Sequence, residues 1–504
     1  MYLWYVSPFF ENRDTYRGYM SRFFGILPPM KSGFLLAVIA YAAVLWAAGL
    51  RLPGRGGGLE SFFLASRRLG PVRVAFSLCA SWIGAASLLV STDEASRDGL
   101  SAIWIIGAPA VATLLVLAAL VRPVRAASGL TLSELMNSRY GRAAETLTTV
   151  LVVWYMTVLA ASQIVASGPF LSAFLGTGPV LGMSLAAAIV VVYSAAGGLL
   201  AVVRTHVVQL VLLVAGVAGM AASVASRVSW NDVRAAAAGL GKAAYFDVLA
   251  GADRTLLIAA SFVLAWTISP IAWQRMQAAR SEGAARNGVL AAALLLGLFY
   301  SGIVALGMLF LPAPPAGAAG IPLVTRFVSA EAGSFLGGLV FVTVLAAILS
   351  TMDAALNAGA FTLTKDLLGR RGVKVGSDGR PLGLARITSA ALAAAALIIA
   401  ARLGDILKTL GLASTIMAEG LLIPGLGALF LKKKAPLAGL LALILGGGHA
   451  TVCFLAESGL GLFSVPAWPR SVPLGVGLGA AGFLVGLALE RSVLRRAPSD
   501  GGLA

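Results

Sequence analysis

An apolar segment between residues 342 and 357 contains side chains whose types and spacing could bind a cation. Ser350 and Thr351 place two hydroxyls side by side, and Asp353 and Asn357 follow on the same predicted helix. A carboxylate at membrane depth is costly unless it faces a bundle interior or a watery cavity. Hydroxyl oxygens suit hard cations better than soft metals. A structural alternative is that the hydroxyls only pack between helices or bond to their own turn, but the neighbouring carboxylate and amide favour a functional site.

The composition predicts an all-α polytopic membrane protein. The chain of 504 residues is 59% hydrophobic and only 12% charged, against about 25% charged in average chains, and its mean hydropathy is +0.90. Apolar stretches long enough to cross a bilayer recur along its whole length. We expect about thirteen transmembrane helices, at residues 33–50, 74–92, 100–121, 146–167, 179–197, 205–224, 255–273, 289–311, 335–364, 384–402, 406–430, 437–455 and 472–489.

The net charge of +17 reflects the basic residues of cytoplasmic loops and does not indicate a nucleic-acid partner. Most Lys and Arg residues fall in alternate loops, as the positive-inside rule requires. The pattern predicts an external N-terminus, a cytoplasmic C-terminus and a bacterial-type plasma (inner) membrane. The segment 239–242 lacks a P-loop pattern, and we expect no ATPase domain. Any transport should therefore use ion gradients.

Two predicted spans contain helix-breaking residues at membrane depth. Small polar residues and glycine crowd residues 77–87, and Pro270 interrupts the span at 255–273. Such breaks are tolerated where the freed carbonyl groups line a cavity. Taken singly, each break could be a simple kink. However, each break lies in the first span of a group of five spans. Because five is odd, the second group enters the membrane from the opposite side and is inverted relative to the first. Unwound segments at matching places of inverted repeats indicate a transporter binding site.

This reasoning divides the chain into six parts. They are an N-terminal extension at 1–32, with Met30 as a candidate natural start, an extra helix at 33–50, the first five-helix repeat at 74–224, the second at 255–430, two peripheral helices at 437–489 and a cytoplasmic tail at 490–504.

Four segments resemble motifs of the sodium/solute symporter family. They are residues 62–70 before the first core helix, the glycine-rich segment 193–209, the Gln-Arg segment 274–281 and the hydroxyl-bearing helix 347–357. Their order and topology match the family between about residues 60 and 430. The resemblance implies the leucine-transporter-like fold of five plus five inverted helices with two discontinuous helices.

The resemblance also implies where ligands bind. Na⁺ would be held by the backbone carbonyls of Ala80, Ile83 and Ala347 and by the hydroxyls of Ser350 and Thr351. The solute would lie beside it, near Trp82, Ser87, Trp266 and Ser269. An unwound segment and adjacent hydroxyls together can form such an oxygen cage.

The sequence departs from the family pattern at two places. His206 stands where most members have aspartate, and Arg204 where they have tryptophan. Because an imidazole titrates near neutrality, His206 is a candidate for coupling transport to H⁺ instead of Na⁺. Asp353 is a second coupling candidate. The other interpretation of His206 is that it caps the short inner loop. Trp82 and Ser87 replace the amide side chains of the family's sugar transporters, and no acidic residue lies between Gly99 and Val121, which disfavours a sugar.

Other polar residues within the spans have several possible roles. Glu419 could bind a substrate amine, carry a proton or meet an arginine, and we place it among the substrate-binding candidates. Asp353 could instead pair with a basic residue near the cytoplasmic end, and Gln163 is expected to bond across helices. Cys79, Cys453 and His449 are expected to be structural residues, with no metal-binding spacing.

The sequence therefore predicts a secondary active transporter. It would couple a cation, most simply Na⁺, to the symport of a small organic solute such as an amino acid or a monocarboxylate. No cofactor other than the coupling ion and no enzyme activity are expected, because no nucleophile–base constellation is visible. The alternatives are a proton-coupled or cation-independent transporter of the same fold and a transporter-like sensor without flux. The oligomeric state is left open.

Overall fold

The computed structural model describes residues 32–49, 63–127, 131–318, 320–370, 380–460 and 465–496. These residues form helices and connecting turns, and their one isolated β-bridge joins Leu69 to Ala279. The α-helices are α1 Ser32–Gly49, α2 Pro71–Trp82, α3 Ser91–Asp98, α4 Gly107–Ala126, α5 Leu132–Tyr140, α6 Arg142–Leu175, α7 Pro179–Ala225, α8 Trp230–Gly239, α9 Ala252–Trp266, α10 Pro270–Ala278, α11 Glu282–Leu309, α12 Leu323–Ala330, α13 Phe335–Arg370, α14 Arg380–Ala400, α15 Ile406–Thr415, α16 Leu422–Phe430, α17 Pro436–Leu455 and α18 Val472–Arg496.

The all-helical membrane fold predicted from the sequence is confirmed. In the described part of the chain, nine helical segments are long and apolar enough to cross a bilayer, or ten if α9 and α10 together form one broken span. Two shorter apolar helices cover Gly33–Gly49 and Pro179–Ser194. The count of thirteen spans remains a prediction.

The first predicted break lies between α2 and α3. Helix α2 ends at Trp82, Ile83 has non-helical dihedral angles (φ −86°, ψ 82°), and a π-helical turn at Ala86–Val90 leads into α3. The amide of Ile83 donates to the Cys79 carbonyl at 2.9 Å, and the next helical bond runs from Leu88 to Gly84 at 3.3 Å. The carbonyl groups of residues 80–83 lie between these two bonds.

The second predicted break lies between α9 and α10, whose axes differ by 46°. Pro270 is the first residue of α10 and Ser269 is its N-cap. Proline has no amide hydrogen and cannot continue α9, but it is suited to the first turn of a new helix. A break also divides α7, where Gly198 has φ 57° and ψ −155°, a conformation open essentially to glycine alone. This separates the two spans predicted at 179–197 and 205–224.

Helix α13 lies in the interior of the bundle. It packs against α6 and α7, while α11 packs against α2 and α4. The residues of α13 between 343 and 362 are buried. Because this helix is enclosed by other helices, its polar residues face protein rather than lipid.

Main-chain bonds join the start of α2 to the end of α10, which are the ends distant from the two breaks. The Leu69 amide donates to the Ala278 carbonyl at 3.1 Å, and the Arg280 amide donates to the Leu69 carbonyl at 2.9 Å. The guanidinium of Arg125 donates to the Ala279 carbonyl at 3.0 Å. The start of α2 and the end of α10 are thereby fixed together.

The last helix is longer than the sequence suggested. Helix α18 continues to Arg496, into the predicted tail, because the residues after 489 include good helix formers and Pro498 is the first helix breaker. The Leu437 amide at the start of α17 donates to Glu490 Oε1 at 2.5 Å. Most of the predicted N-terminal extension (1–31), Phe62, residues 371–379 of the cytoplasmic loop and residues 497–504 of the tail lie outside the described residues.

Candidate solute and cation site

A cavity of about 50 Å³ lies between the two broken helices. It brings together four predicted substrate residues, Trp82, Ser87, Trp266 and Ser269, with Thr351 of the predicted cation set. The remaining lining residues are Ser81, Gly84, Ala86, Ile106, Tyr155, Leu159, Gln163, Ile271 and Leu410. No ionisable carboxylate or base occurs among these lining residues.

Gln163 of α6 holds the first break open. In a continuous helix the Ala85 amide would bond to Ser81, but here it donates to Gln163 Oε1 at 2.9 Å. The other end of the amide donates to Ser162 Oγ at 2.9 Å. Glycine is required at position 84, because a Cβ there would lie 2.8 Å from Gln163 Oε1 and 3.0 Å from Thr351 Oγ1. The predicted cross-helix bond of Gln163 is confirmed.

Tyr300 of α11 supports the same break from the other side, a role that the sequence analysis missed. Its hydroxyl lies 2.8 Å from Ser87 Oγ and donates to the Trp82 carbonyl at 3.2 Å. Ser87 Oγ also contacts the Trp82 carbonyl, at 3.1 Å. Tyr300 lies more than two hundred residues from its partners in the chain, so local sequence patterns could not reveal it.

Aromatic rings from both breaks form part of the cavity wall. The ring centroids of Trp82 and Trp266 are 5.5 Å apart, and Phe262 stacks on Trp266 at 4.6 Å. Such rings offer large, rigid apolar surfaces. The cavity therefore combines aromatic walls with a few hydroxyl and amide groups.

The predicted cation residues are buried next to the first break. Ala80, Ile83, Ala347 and Ser350 are 0% exposed. Ser350 Oγ donates to the Ala347 carbonyl at 3.2 Å. The Thr351 hydroxyl is buried and has no hydrogen-bond partner among the described residues. A buried oxygen without a partner is unfavourable unless a ligand satisfies it, so the Thr351 hydroxyl oxygen is available to a ligand.

His206 connects the broken helix to α13. The imidazole is fully buried; its Nδ1 lies 3.1 Å from Ser77 Oγ, and its Nε2 lies 3.2 Å from the Ser350 carbonyl oxygen. The alternative that His206 caps the short inner loop is wrong, because its ring reaches across to two other helices. Its role in coupling stays a prediction.

Asp353 is buried without the ion pair considered for it. Neither carboxylate oxygen has a hydrogen-bond partner among the described residues, and Asp353 is absent from the ion pairs found among those residues. Arg275, fully buried nearby, instead donates to Gln274 Oε1 at 2.8 Å and to Ser77 Oγ at 3.3 Å. The hydroxyls of Tyr193 and Ser194 also neighbour the carboxylate. Arg275 is thus a buried cation close to Asp353, and the sequence analysis did not identify this role for it.

Glu419 does not line the cavity, which contradicts its placement among the substrate residues. It lies in a π-helical turn, Ile416–Leu421, between α15 and α16. Its carboxylate points to α17, where Oε2 lies 2.6 Å from His449 Nδ1. The change of helical register in the π turn and the packing of α17 on this face turn the side chain away from the broken helices.

A membrane-spanning bundle with two broken helices around one cavity has the architecture of a secondary transporter. The family model for the sodium:solute symporter family matches residues 62–446, and the chain belongs to that family. It is accordingly an integral membrane protein. The family resemblance found in the sequence is confirmed.

Known proteins similar to this chain include a human cotransporter and a solved symporter structure. The sodium/iodide cotransporter of Homo sapiens is 33% identical over 187 residues, which are 36% of this chain and 28% of that protein. The solved structure of a Na⁺-coupled sialic acid symporter, in a substrate-bound outward-open state, has a TM-score of 0.78 at 16% identity and covers 94% of this chain and 99% of that chain. This second similarity concerns the fold.

Proposed function

We propose that this protein is a secondary active transporter that couples Na⁺ to the symport of a small organic solute by alternating access. The observation that carries the proposal is the position of Thr351. Its unpartnered hydroxyl borders the cavity, and Thr351 is also one of the predicted cation ligands. A cation bound there would touch the same residues that a solute contacts.

The coupling follows from this shared position. Na⁺ held by Ser350, Thr351 and the carbonyl groups of Ala80, Ile83 and Ala347 would fix the break in one conformation. The solute would then bind to a wall that is already ordered, so each ligand raises the affinity of the other. The chemistry consists of binding and conformational change, and no covalent bond is made or broken.

We further propose that the solute is a monocarboxylate rather than an amino acid. An ammonium group would meet only neutral oxygens here, because no carboxylate lies among the residues that line the cavity. A carboxylate group would instead meet the N-terminus of α10, where Ser269 and Ile271 line the cavity and the helix dipole favours anions. The aromatic walls suit an apolar body. The similar human protein is named for iodide, which is also an anion.

The test is uptake by proteoliposomes that contain the purified chain. A panel of labelled monocarboxylates and amino acids is offered with an imposed Na⁺ gradient and, separately, with a proton gradient alone. We expect Na⁺-driven uptake of a monocarboxylate, lost in Ser350→Ala/Thr351→Val. Thr362→Val is the matched control, because the Thr362 hydroxyl donates only to the Ala358 carbonyl of its own helix, at 3.1 Å.

Other outcomes would overturn parts of the proposal. Amino-acid uptake would reject the substrate class and keep the mechanism. Uptake that needs neither gradient would reject coupling. Solute binding without flux under either gradient would indicate a sensor. Sodium-driven uptake that survives in the double variant would move the cation site elsewhere.

Proton coupling is a second candidate, favoured by Asp353. A buried carboxylate without a partner is expensive when charged at membrane depth, so it would readily take up and release a proton or a cation as its surroundings change. Proton-driven uptake that is lost in Asp353→Asn and insensitive to Ser350→Ala/Thr351→Val would support this candidate. Na⁺-driven uptake in Asp353→Asn would reject it.

We also propose that the N-terminus faces outward and the C-terminus faces the cytoplasm of a bacterial-type plasma membrane. The alternation of basic loops supports this orientation. In a Cys79→Ser/Cys453→Ser background, the exposed positions Ala243 and Arg280 are replaced singly by cysteine. An impermeant maleimide applied to whole cells should label Ala243→Cys and spare Arg280→Cys; the opposite result would invert the topology.

A further inference from the structure

Three potential metal ligands converge outside the solute cavity. His449 Nδ1 lies 2.6 Å from Glu419 Oε2, and Cys453 Sγ lies 3.7 Å from Nδ1 and 3.9 Å from Nε2 of His449. One ligand atom from each residue lies within 4.8 Å of the other two. His449 and Cys453 are one turn apart on α17, so both project from one face of that helix.

The surrounding elements place Glu419 against this face. It occupies the π turn between α15 and α16, and π turns often occur at functional sites. Glycines of the neighbouring helices permit the close approach: a Cβ at Gly475 would lie 2.0 Å from Glu419 Oε2, and one at Gly446 would lie 2.0 Å from the Glu419 carbonyl oxygen. The packing is thus shaped around this side chain.

The hydrogen bond to His449 leaves part of the carboxylate unsatisfied. Glu419 is fully buried, and its second oxygen, Oε1, has no hydrogen-bond partner among the described residues. A carboxylate at membrane depth is retained at considerable cost. A simple structural contact between Glu419 and His449 would not explain why a thiol and an unpartnered carboxylate oxygen lie beside the same imidazole.

We propose that Glu419, His449 and Cys453 form a binding site for a divalent metal ion of borderline softness, such as Zn²⁺. Imidazole, thiolate and carboxylate are the three ligand types that bind zinc in proteins. The thiolate disfavours Na⁺, Mg²⁺ and Ca²⁺, which prefer oxygen ligands alone. The two negative charges of the thiolate and carboxylate would balance the dication within the membrane.

The distances require small adjustments, because the carboxylate oxygen and the sulfur lie within 4.8 Å of one another but need to be closer to bind one ion. Ligand atoms about 2.0–2.3 Å from a tetrahedral zinc ion are about 3.3–3.6 Å from one another. The sulfur–nitrogen distance of 3.7 Å already agrees with this. Glu419 Oε2 and His449 Nδ1, which lie 2.6 Å apart, must separate by less than about 1 Å. The side chain of His449 is 12% exposed, so the three ligands do not enclose the site completely.

The test uses Co²⁺ as a spectroscopic substitute for Zn²⁺ on the full-length chain, purified without a polyhistidine tag. The sequence contains two cysteines, Cys79 and Cys453, so a thiolate-to-cobalt charge-transfer band has only two possible sources. We expect this band at one Co²⁺ per chain, and we expect Zn²⁺ to abolish it. The band should persist in Cys79→Ser, where Cys453 is the remaining cysteine.

Variants of the ligands complete the test. Cys453→Ser should lose the band, and Glu419→Gln and His449→Ala should each weaken Zn²⁺ binding by about tenfold or more, as for other essential groups of metal sites. The persistent band in Cys79→Ser assigns the site even where a ligand variant does not fold. Absence of the band in the parent chain, or its persistence in Cys453→Ser, would overturn the proposal. The readout is independent of transport, so it stands or falls separately from the proposed symport.

Discussion

The imidazole Nε2 of His206 lies 3.2 Å from the carbonyl oxygen of Ser350, the first hydroxyl residue of the candidate cation set. The opposite ring nitrogen lies 3.1 Å from Ser77 Oγ on α2. A single ring thereby joins the broken helix to the central helix α13. A substitution at position 206 should therefore alter the geometry of the proposed cation site.

Replacing His206 by aspartate should make stability depend on sodium. The Ser77 hydroxyl would donate to a carboxylate at position 206, but a buried charge that also faces the Ser350 carbonyl oxygen is still costly, and a bound Na⁺ would relieve that cost. We expect a lower melting temperature in choline buffer, with a larger recovery on adding Na⁺ than the parent protein shows. His206→Asn has the same shape without the charge and should show no such extra recovery. Equal sodium responses in the two variants would contradict this explanation.

Replacing Gln163 by leucine should weaken the first break. The Ala85 amide would lose its acceptor at 2.9 Å, and a buried donor without a partner costs about 1–3 kcal/mol. We expect a lower melting temperature together with loss of solute uptake. Ser167→Ala on the same helix is the control, because the Ser167 hydroxyl donates only to the Ile164 carbonyl at 2.8 Å. If both variants behave alike, the cross-helix bond is not important.

Ser87 and Tyr300 should be energetically coupled. Their hydroxyl oxygens are 2.8 Å apart, and both contact the Trp82 carbonyl. In a cycle of Ser87→Ala, Tyr300→Phe and the double variant, we expect a coupling free energy of about 0.5–3 kcal/mol in thermal or denaturant stability. Additive effects would show that the two hydroxyls act independently.

Replacing Gly475 by alanine should disturb Glu419. The new Cβ would lie 2.0 Å from Glu419 Oε2, and relief of such overpacking costs about 1–3 kcal/mol. We expect a lower melting temperature and weaker Co²⁺ binding. Gly477→Ala is a close control on the same helix, because a Cβ there meets no atom within 4 Å. A Gly475→Ala protein as stable as Gly477→Ala would mean that Glu419 can move freely.

The architecture could be predicted because hydrophobicity and helix breakers are local properties of the chain. Apolar length identifies spans, Pro270 cannot continue α9, and the small residues around Gly84 allow the first break. The spans and the two breaks depend on residue type and order alone. The proximity of Trp82, Trp266 and Thr351 was expected from the family resemblance.

The partners of the breaks could not be predicted, because they come from distant parts of the chain. Gln163 meets Ala85 across 78 residues and Tyr300 meets Ser87 across 213. Glu419 was assigned to the wrong neighbourhood because a π turn changes the direction of a side chain without an obvious signal in the sequence. The direction of a polar side chain inside a bundle is set by packing.

The bridge between Leu69 and Ala279 has a mechanical consequence. Helices α2 and α10 both run from this junction to the cavity, where Trp82 ends one and Ser269 caps the other. Because α2 and α10 are joined at this junction, a displacement of the junction would move both walls of the cavity at once. Because the joint consists of main-chain bonds, most side-chain replacements leave it intact. Proline at Leu69 would remove the bond to the Ala278 carbonyl, proline at Arg280 would remove the bond to the Leu69 carbonyl, and both together would let α2 and α10 move independently.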